Sequence, residues 1–272
     1  MPRTHTPSPS GPAGSRLAQL LGELDKRLAG ARHGDFAERL GRLFDLSDAI
    51  ALDGATRHKP AGPFSPAENL LQELQEDLLD SRRALLEQLA RSFRGETAPS
   101  VIALPAPGAG AAPGKRPPFS TYSNFYQAHQ RQMIAGVANL RLRCRRQLAA
   151  QNARLAHLAE LDAVFESGLA SYVRQGFAAL PGILETRYRT LWQQRDPEQP
   201  PAAWLEPHSW LQQFRAELKM LLLAELEARQ EPVLGLLEAA REQLAGSTAA
   251  DNSGGADRAP AAQENHGVRS TP

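Results

Sequence analysis

The sequence predicts an all-α fold: an elongated antiparallel bundle of long, coiled-coil-like helices with a small N-terminal helical cluster. Three observations predict it. Leucine occurs 39 times, whereas isoleucine and valine together occur 10 times; unbranched Leu loses little freedom in a helix, and strands favour the β-branched residues that are scarce here. No stretch alternates with period two over a useful length. Finally, one stripe reads Tyr126, His129, Met133, Val137, Leu140, Cys144, Leu148, Gln151, Leu155, Leu158, Asp162, Phe165, Leu169 and Tyr172, with gaps of three and four that average about 3.5.

Taken in order, residues 1–14 are rich in Pro, Ser, Thr and Gly and are expected to be disordered. Residues 15–56 form the N-terminal cluster. Ser15 caps a first helix carrying Leu17, Leu20, Leu21, Leu24 and Leu28 up to Gly30. Asp35 caps a second with Phe36, Leu40, Leu43 and Phe44, and Ser47 opens a third through Ile50 and Leu52. Residues 65–94 read as one amphipathic helix. Ser65, Pro66 and Glu68 supply an N-cap, a first-turn proline and the acidic half of a capping box. Leu71, Leu74, Leu78, Leu85, Leu89 and Phe93 follow at helical spacing.

Residues 95–118 hold six prolines among glycines and alanines and read as a flexible linker. Val101 to Leu104 within it is taken as incidental rather than as a docking segment. Residues 120–245 form the long-helix bundle, with breaks expected near 181, across 196–207 and at 232, where prolines fall. Because no proline stands between Phe119 and Pro181, a rod of some sixty residues is expected, about 90 Å long. Trp204, Trp210 and Phe214 lie where the last helix meets its loop, and they are expected to clamp that loop onto the bundle. Residues 246–272 are polar and expected to be a disordered tail.

Composition narrows the function classes. A net charge of +1 favours neither a polyanion partner nor an acidic surface. The single cysteine, Cys144, suits a reducing compartment and forms no internal disulfide. The N-terminus lacks the basic-then-apolar pattern of a signal peptide, and the greasiest run, Met220 to Leu226, is too short to span a membrane. A cytoplasmic location is expected.

Catalytic and metal readings find little support. No two histidines stand three or four apart, and His157 with Glu160 has the reverse of the order that a di-iron bundle uses. His129 reads as a packed histidine with its ring nitrogens satisfied. Cys144 has arginine neighbours, yet it points into the seam. No catalytic, cofactor or metal residue is assigned.

One electrostatic feature is left. No acidic residue occurs from Ala98 to Ala159, while Lys115, Arg116, Arg131, Arg141, Arg143, Arg145, Arg146 and Arg154 make that segment strongly basic. The arginines from 131 to 154 are the candidate interaction surface, either for nucleic acid or anionic membrane, or for the acidic helix at 66–87, which has a net charge of −4. Pairing within the chain or across a dimer is the preferred reading.

Several stretches also carry a family resemblance. They are Phe36 to Gly41 with Asp48 to Leu52, Phe125 to Met133, Leu161 to Ala163, Leu184 to Tyr188, Trp210 with Leu211, Phe214, Glu217 and Leu218, and above all Leu222 to Ala239. Together they resemble an uncharacterised proteobacterial family, domain of unknown function 3348. The resemblance implies no catalytic residue, because the family has none assigned. It also implies a gene neighbourhood beside ion-driven envelope motor and peptidoglycan-binding proteins with long coiled-coil tails.

The sequence therefore predicts a non-enzymatic scaffold or adaptor in a bacterial assembly, with an unnamed protein partner or a second copy bound through the central helix. Nucleic-acid or anionic-membrane binding through Arg131–Arg154 is the alternative. No small-molecule substrate is inferred.

Overall fold

At Asn152 the backbone becomes extended, with φ −164° and ψ 171°, and the chain turns back on itself. Its side-chain oxygen accepts a hydrogen bond from the Leu155 amide at 2.9 Å, capping the helix that follows. The expected sixty-residue rod is therefore two helices. The computed structural model describes residues 16–17, 19–20, 46–107 and 115–254, the side chains of Leu46 and of 247–254 excepted. Among them lie α1 (Leu46–Arg57), α2 (Leu70–Phe93), α3 (Ser120–Gln151), α4 (Ala153–Ala178), α5 (Leu180–Gln194) and α6 (Trp210–Gly254), with a 3-10 turn at Pro201–Ala203. No strand occurs among the described residues, so the fold is all-α.

The helices run up and down. The α3–α4 hairpin is antiparallel, since Arg141 meets Asp162 and Gln130 reaches the Phe177 carbonyl. On the other flank of α3, α2 is also antiparallel: Asp77 pairs with Arg143, and Phe93 lies edge-on to Phe125. The last helix, α6, runs parallel to α3, because Arg215 bonds Tyr122 while Glu225 bonds Tyr126 and Gln130. Thus α3 and α6 form a central pair, with α2 on one side and α4–α5 on the other. The short α1 packs on α4. Each long helix covers about 40 to 70 Å at 1.5 Å per residue.

The core follows the periodicity. Along α3 the buried side chains are Tyr122, Phe125, Tyr126, His129, Met133, Val137, Leu140, Cys144 and Leu148, and α2 covers them with Leu70, Leu74, Leu78 and Leu89. A Cβ on Gly136 would stand 3.2 Å from the Leu85 methyls, so glycine there lets α2 and α3 approach closely. The α3 half of the seam is filled by the chain's own helices.

Several expected boundaries move. The first two helices of the 15–56 cluster lie outside the described residues, apart from Arg16, Leu17, Gln19 and Leu20, which are helical. The expected disorder of 1–14 and of 255–272 also falls outside them. The Ser65 capping box does not form, and α2 starts at Leu70 after Asn69. Instead the Ser65 amide donates to the Ala150 carbonyl at 2.7 Å, and Gln151 exchanges two hydrogen bonds with the Ala67 backbone. That docking satisfies the Ser65 amide that the box would have used, and the Ala67 backbone beside it.

The part of the linker up to residue 107 is also more ordered than expected. Ile102 and Leu104 pack against the core, and Arg215 donates to the Pro105 carbonyl. The 101–104 segment docks, contrary to the incidental reading. The break near 181 falls at Ala179, with Pro181 in the first turn of α5, where its missing amide costs nothing. No break occurs at Pro232: α6 runs through it, although proline costs about 3 kcal/mol in a helix interior. Val233, Leu236, Leu237 and Ala240 are buried just beyond it and hold the helix together. Disorder was expected from 246, yet α6 continues to Gly254.

Candidate functional site

Of the six candidate arginines, two are spent inside the hairpin. Arg141 makes a two-point contact with Asp162, Nε to Oδ2 at 2.8 Å and Nη2 to Oδ1 at 2.7 Å, and its Nη1 lies 3.4 Å from Glu166. One turn on, Arg145 meets Glu166 at 2.5 Å and Asp162 at 3.7 Å. Burial alone would lower the Arg141 pKa, but the hydrogen bond and charge of Asp162, with those of Glu166, outweigh it and raise it. The basic run was expected to pair with the acidic helix. Among the described residues only Arg143 does so, to Asp77 at 3.4 Å, and the main carboxylates, Asp162 and Glu166, come from α4.

The other three candidates are exposed. Arg131, Arg146 and Arg154 have no ion-pair or hydrogen-bond partner among the described residues. Arg131 and Arg146 lie on the α3 face turned away from α6, the same face that exposes Ile134 and Leu142. The six arginines therefore do not form one patch. Their charge is divided between an internal clasp and an outward face.

The strongest polar cluster was not foreseen. Glu225 on α6 is fully buried. Its carboxylate accepts from Tyr126 Oη at 2.5 Å, from Gln130 Nε2 at 3.0 Å and from Arg229 Nε and Nη2 at 2.8 and 2.6 Å. The Arg229 guanidinium also lies 3.8 Å over the Phe177 ring. Four donors and one countercharge satisfy an ion that would otherwise be costly to bury. Burial first, and then the Glu225 charge, push the Tyr126 phenol well above its ordinary pKa. The signal in the sequence was a glutamate inside the greasiest run, with an arginine four residues later.

Trp204, Trp210 and Phe214 are all buried. Trp204 and Trp210 are edge-on at 5.4 Å, and both pack on Trp192 of α5. Phe214 lies 4.8 Å from Tyr188, whose ring also meets Phe119, Tyr122 and Trp210. The cluster thus joins the start of α6 to α3, α5 and the 196–209 loop. Arg195 stacks 3.3 Å over Trp192 at its edge.

Two further reactive groups, His129 and Cys144, are held neutral by burial. Burial lowers His129 from 6.5 to about 4, with its ring 4.7 Å from Phe125; contrary to the expectation, its buried Nε2 meets no hydrogen-bond partner among the described residues. Cys144 is pushed up to about 11 by burial and then by Asp77, and Arg143 only partly opposes this. His58 Nδ1 lies 2.6 Å from Glu160, so that carboxylate binds α1 to α4. Among the described residues, no group of three or more His, Cys, Asp or Glu side chains is placed to hold a metal. No described helix is long and apolar enough to cross a membrane.

No curated protein and no solved structure matches the chain. A family model described as protein of unknown function (DUF3348) matches residues 3–242. That match covers the bundle, the buried Glu225 cluster and the aromatic clamp, and the chain belongs to the DUF3348 family.

Proposed function

We propose that this chain is a non-enzymatic helical scaffold or adaptor in a bacterial protein assembly, working from the cytoplasmic side of an envelope motor-like complex. The observation that carries the reading is where the buried charge goes. Glu225 is closed by Tyr126, Gln130 and Arg229, and Arg141 by Asp162. Both clusters fix the register of neighbouring helices, the best-attested use of buried ions. The polar chemistry of the interior thus holds the bundle together, and long helix faces are left for recognition.

The alternative, a nucleic-acid or anionic-membrane binder, rests on the exposed Arg131, Arg146 and Arg154. It is weakened because Arg141 and Arg145 already hold carboxylates. Purification of the tagged full-length chain from its native host tests the scaffold reading. A reproducible protein partner in fixed stoichiometry, resistant to nuclease and detergent, supports it. Recovery of nucleic acid or lipid alone, or of the chain by itself as a monomer, contradicts it.

A further inference from the structure

Among the described residues α3 is covered by α2, α4, α5 and α6, and the side that carries Ile134 and Leu142 is exposed. Along that side run Arg131, Ile134, Ala138, Leu142 and Arg146, at gaps of three and four, so they line one helix face. Ile134 is 49% exposed and Leu142 40%. Small Ala138 stands between them and lets another backbone come close. An unpaired arginine stands at each end, about 22 Å apart at 1.5 Å per residue. An apolar stripe on an exposed helix face, with a cation at each end, can take the apolar face of a second amphipathic helix and set its register by charge.

We propose that this face docks an acidic amphipathic helix of a partner protein, an assignment that rests on the scaffold reading. Its two apolar anchors would sit about eight residues apart, to match Ile134 and Leu142, with carboxylates beyond them to meet Arg131 and Arg146. The neighbouring acids do not offset those end charges. Asp77 holds Arg143, and Asp162 and Glu166 hold Arg141 and Arg145. A second copy of the chain fits poorly. Ala138 lies at the midpoint of the stripe, so antiparallel self-pairing sets Arg131 against the Arg146 of the other copy, and parallel pairing sets each arginine against itself. Nucleic acid fits poorly too, because its phosphates gain nothing from Ile134 and Leu142, and no aromatic side chain stands between the arginines to stack on a base.

The test uses the full chain and a labelled synthetic helix of about twenty residues, with leucines at the matching spacing and flanking glutamates. A lysine-flanked version serves as its counterpart, and binding is read by anisotropy. All four positions are exposed, so the variants are expected to keep the parent's helical circular dichroism and melting temperature. The glutamate helix is expected to bind saturably and in preference to the lysine helix. The double substitution Ile134→Asp with Leu142→Asp is expected to weaken it at least about tenfold, and Arg131→Glu with Arg146→Glu to reverse the preference. Absence of binding, equal binding of both helices, or indifference to the substitutions overturns the assignment. So does duplex DNA that binds as tightly and is lost with the same arginines. If a native protein partner co-purifies with the variants as well as with the parent, this surface is wrong while the scaffold reading stands. If the parent co-purifies with no protein at all, the scaffold reading fails first.

Discussion

Arg141 grips Asp162 across the α3–α4 hairpin, Nη2 to Oδ1 at 2.7 Å, with both side chains less than 15% exposed. Arg141→Ala leaves a largely buried carboxylate without its main partner, a change expected to cost about 3 kcal/mol. Replacing both residues, Arg141→Met with Asp162→Leu, is expected to cost much less than the two single changes summed. Urea unfolding of the four proteins makes the comparison.

Glu225 is the second point where a single change is costly. Glu225→Leu removes the countercharge of Arg229 and the acceptor of Tyr126 and Gln130, and about 3 kcal/mol of destabilisation is expected. Tyr126→Phe removes one donor of four and is expected to cost about 1 kcal/mol. Denaturant midpoints distinguish the two. Equal losses would mean that Glu225 matters only through the phenol.

The break at Asn152 shows what the sequence could not reveal. The stripe from Tyr126 to Leu148 gave the buried face of α3 correctly, because burial follows period. The turn after it carries neither proline nor glycine, and Asn152 looked like one more polar position in a long helix. What decides the turn is tertiary: Arg141, Arg145 and Gln130 meet partners 21 or more residues later. Ser65 erred in the opposite direction. Its local signal was strong, but Ala150 and Gln151 at the end of α3 engage that backbone instead. Of the candidate arginines, their exposure on α3 was legible only after their partners on α4 were placed. Asn152→Ala deletes the cap on Leu155 and is expected to cost about 1 kcal/mol, whereas Asn152→Asp keeps an acceptor and is expected to cost little. Thermal melts check this.

His129 gives the bundle an acid sensitivity. Its pKa falls from 6.5 to about 4 on folding because burial disfavours the cation. The unfolded chain therefore binds the proton first as pH drops. The stability contribution is complete above about pH 6.5 and is lost progressively between 6.5 and 4, by up to about 3 kcal/mol. Urea midpoints taken from pH 7.5 to 4 are expected to show this slope in the parent and a shallower one in His129→Gln.

Trp210 anchors the clamp between Trp192, Trp204 and Tyr188. Trp210→Ala is expected to cost about 3 to 5 kcal/mol. It is also expected to free the 196–209 loop, which limited proteolysis would report as early cleavage there. Loss of stability without that cleavage would mean that the ring fills the core but does not hold the loop.

Cys144 offers the most direct test of whether the α3 seam is closed by the chain's own helices. It is the single cysteine, fully buried in the C-terminal half of α3, with its thiol pushed up to about 11. Reaction of the native chain with a coloured aromatic disulfide at pH 8, followed over hours against a sample in urea, reads the seam's exposure. The bundle predicts negligible modification until the protein unfolds, then one equivalent per chain. Rapid, stoichiometric modification of the native chain, with its helical circular dichroism intact, would contradict it.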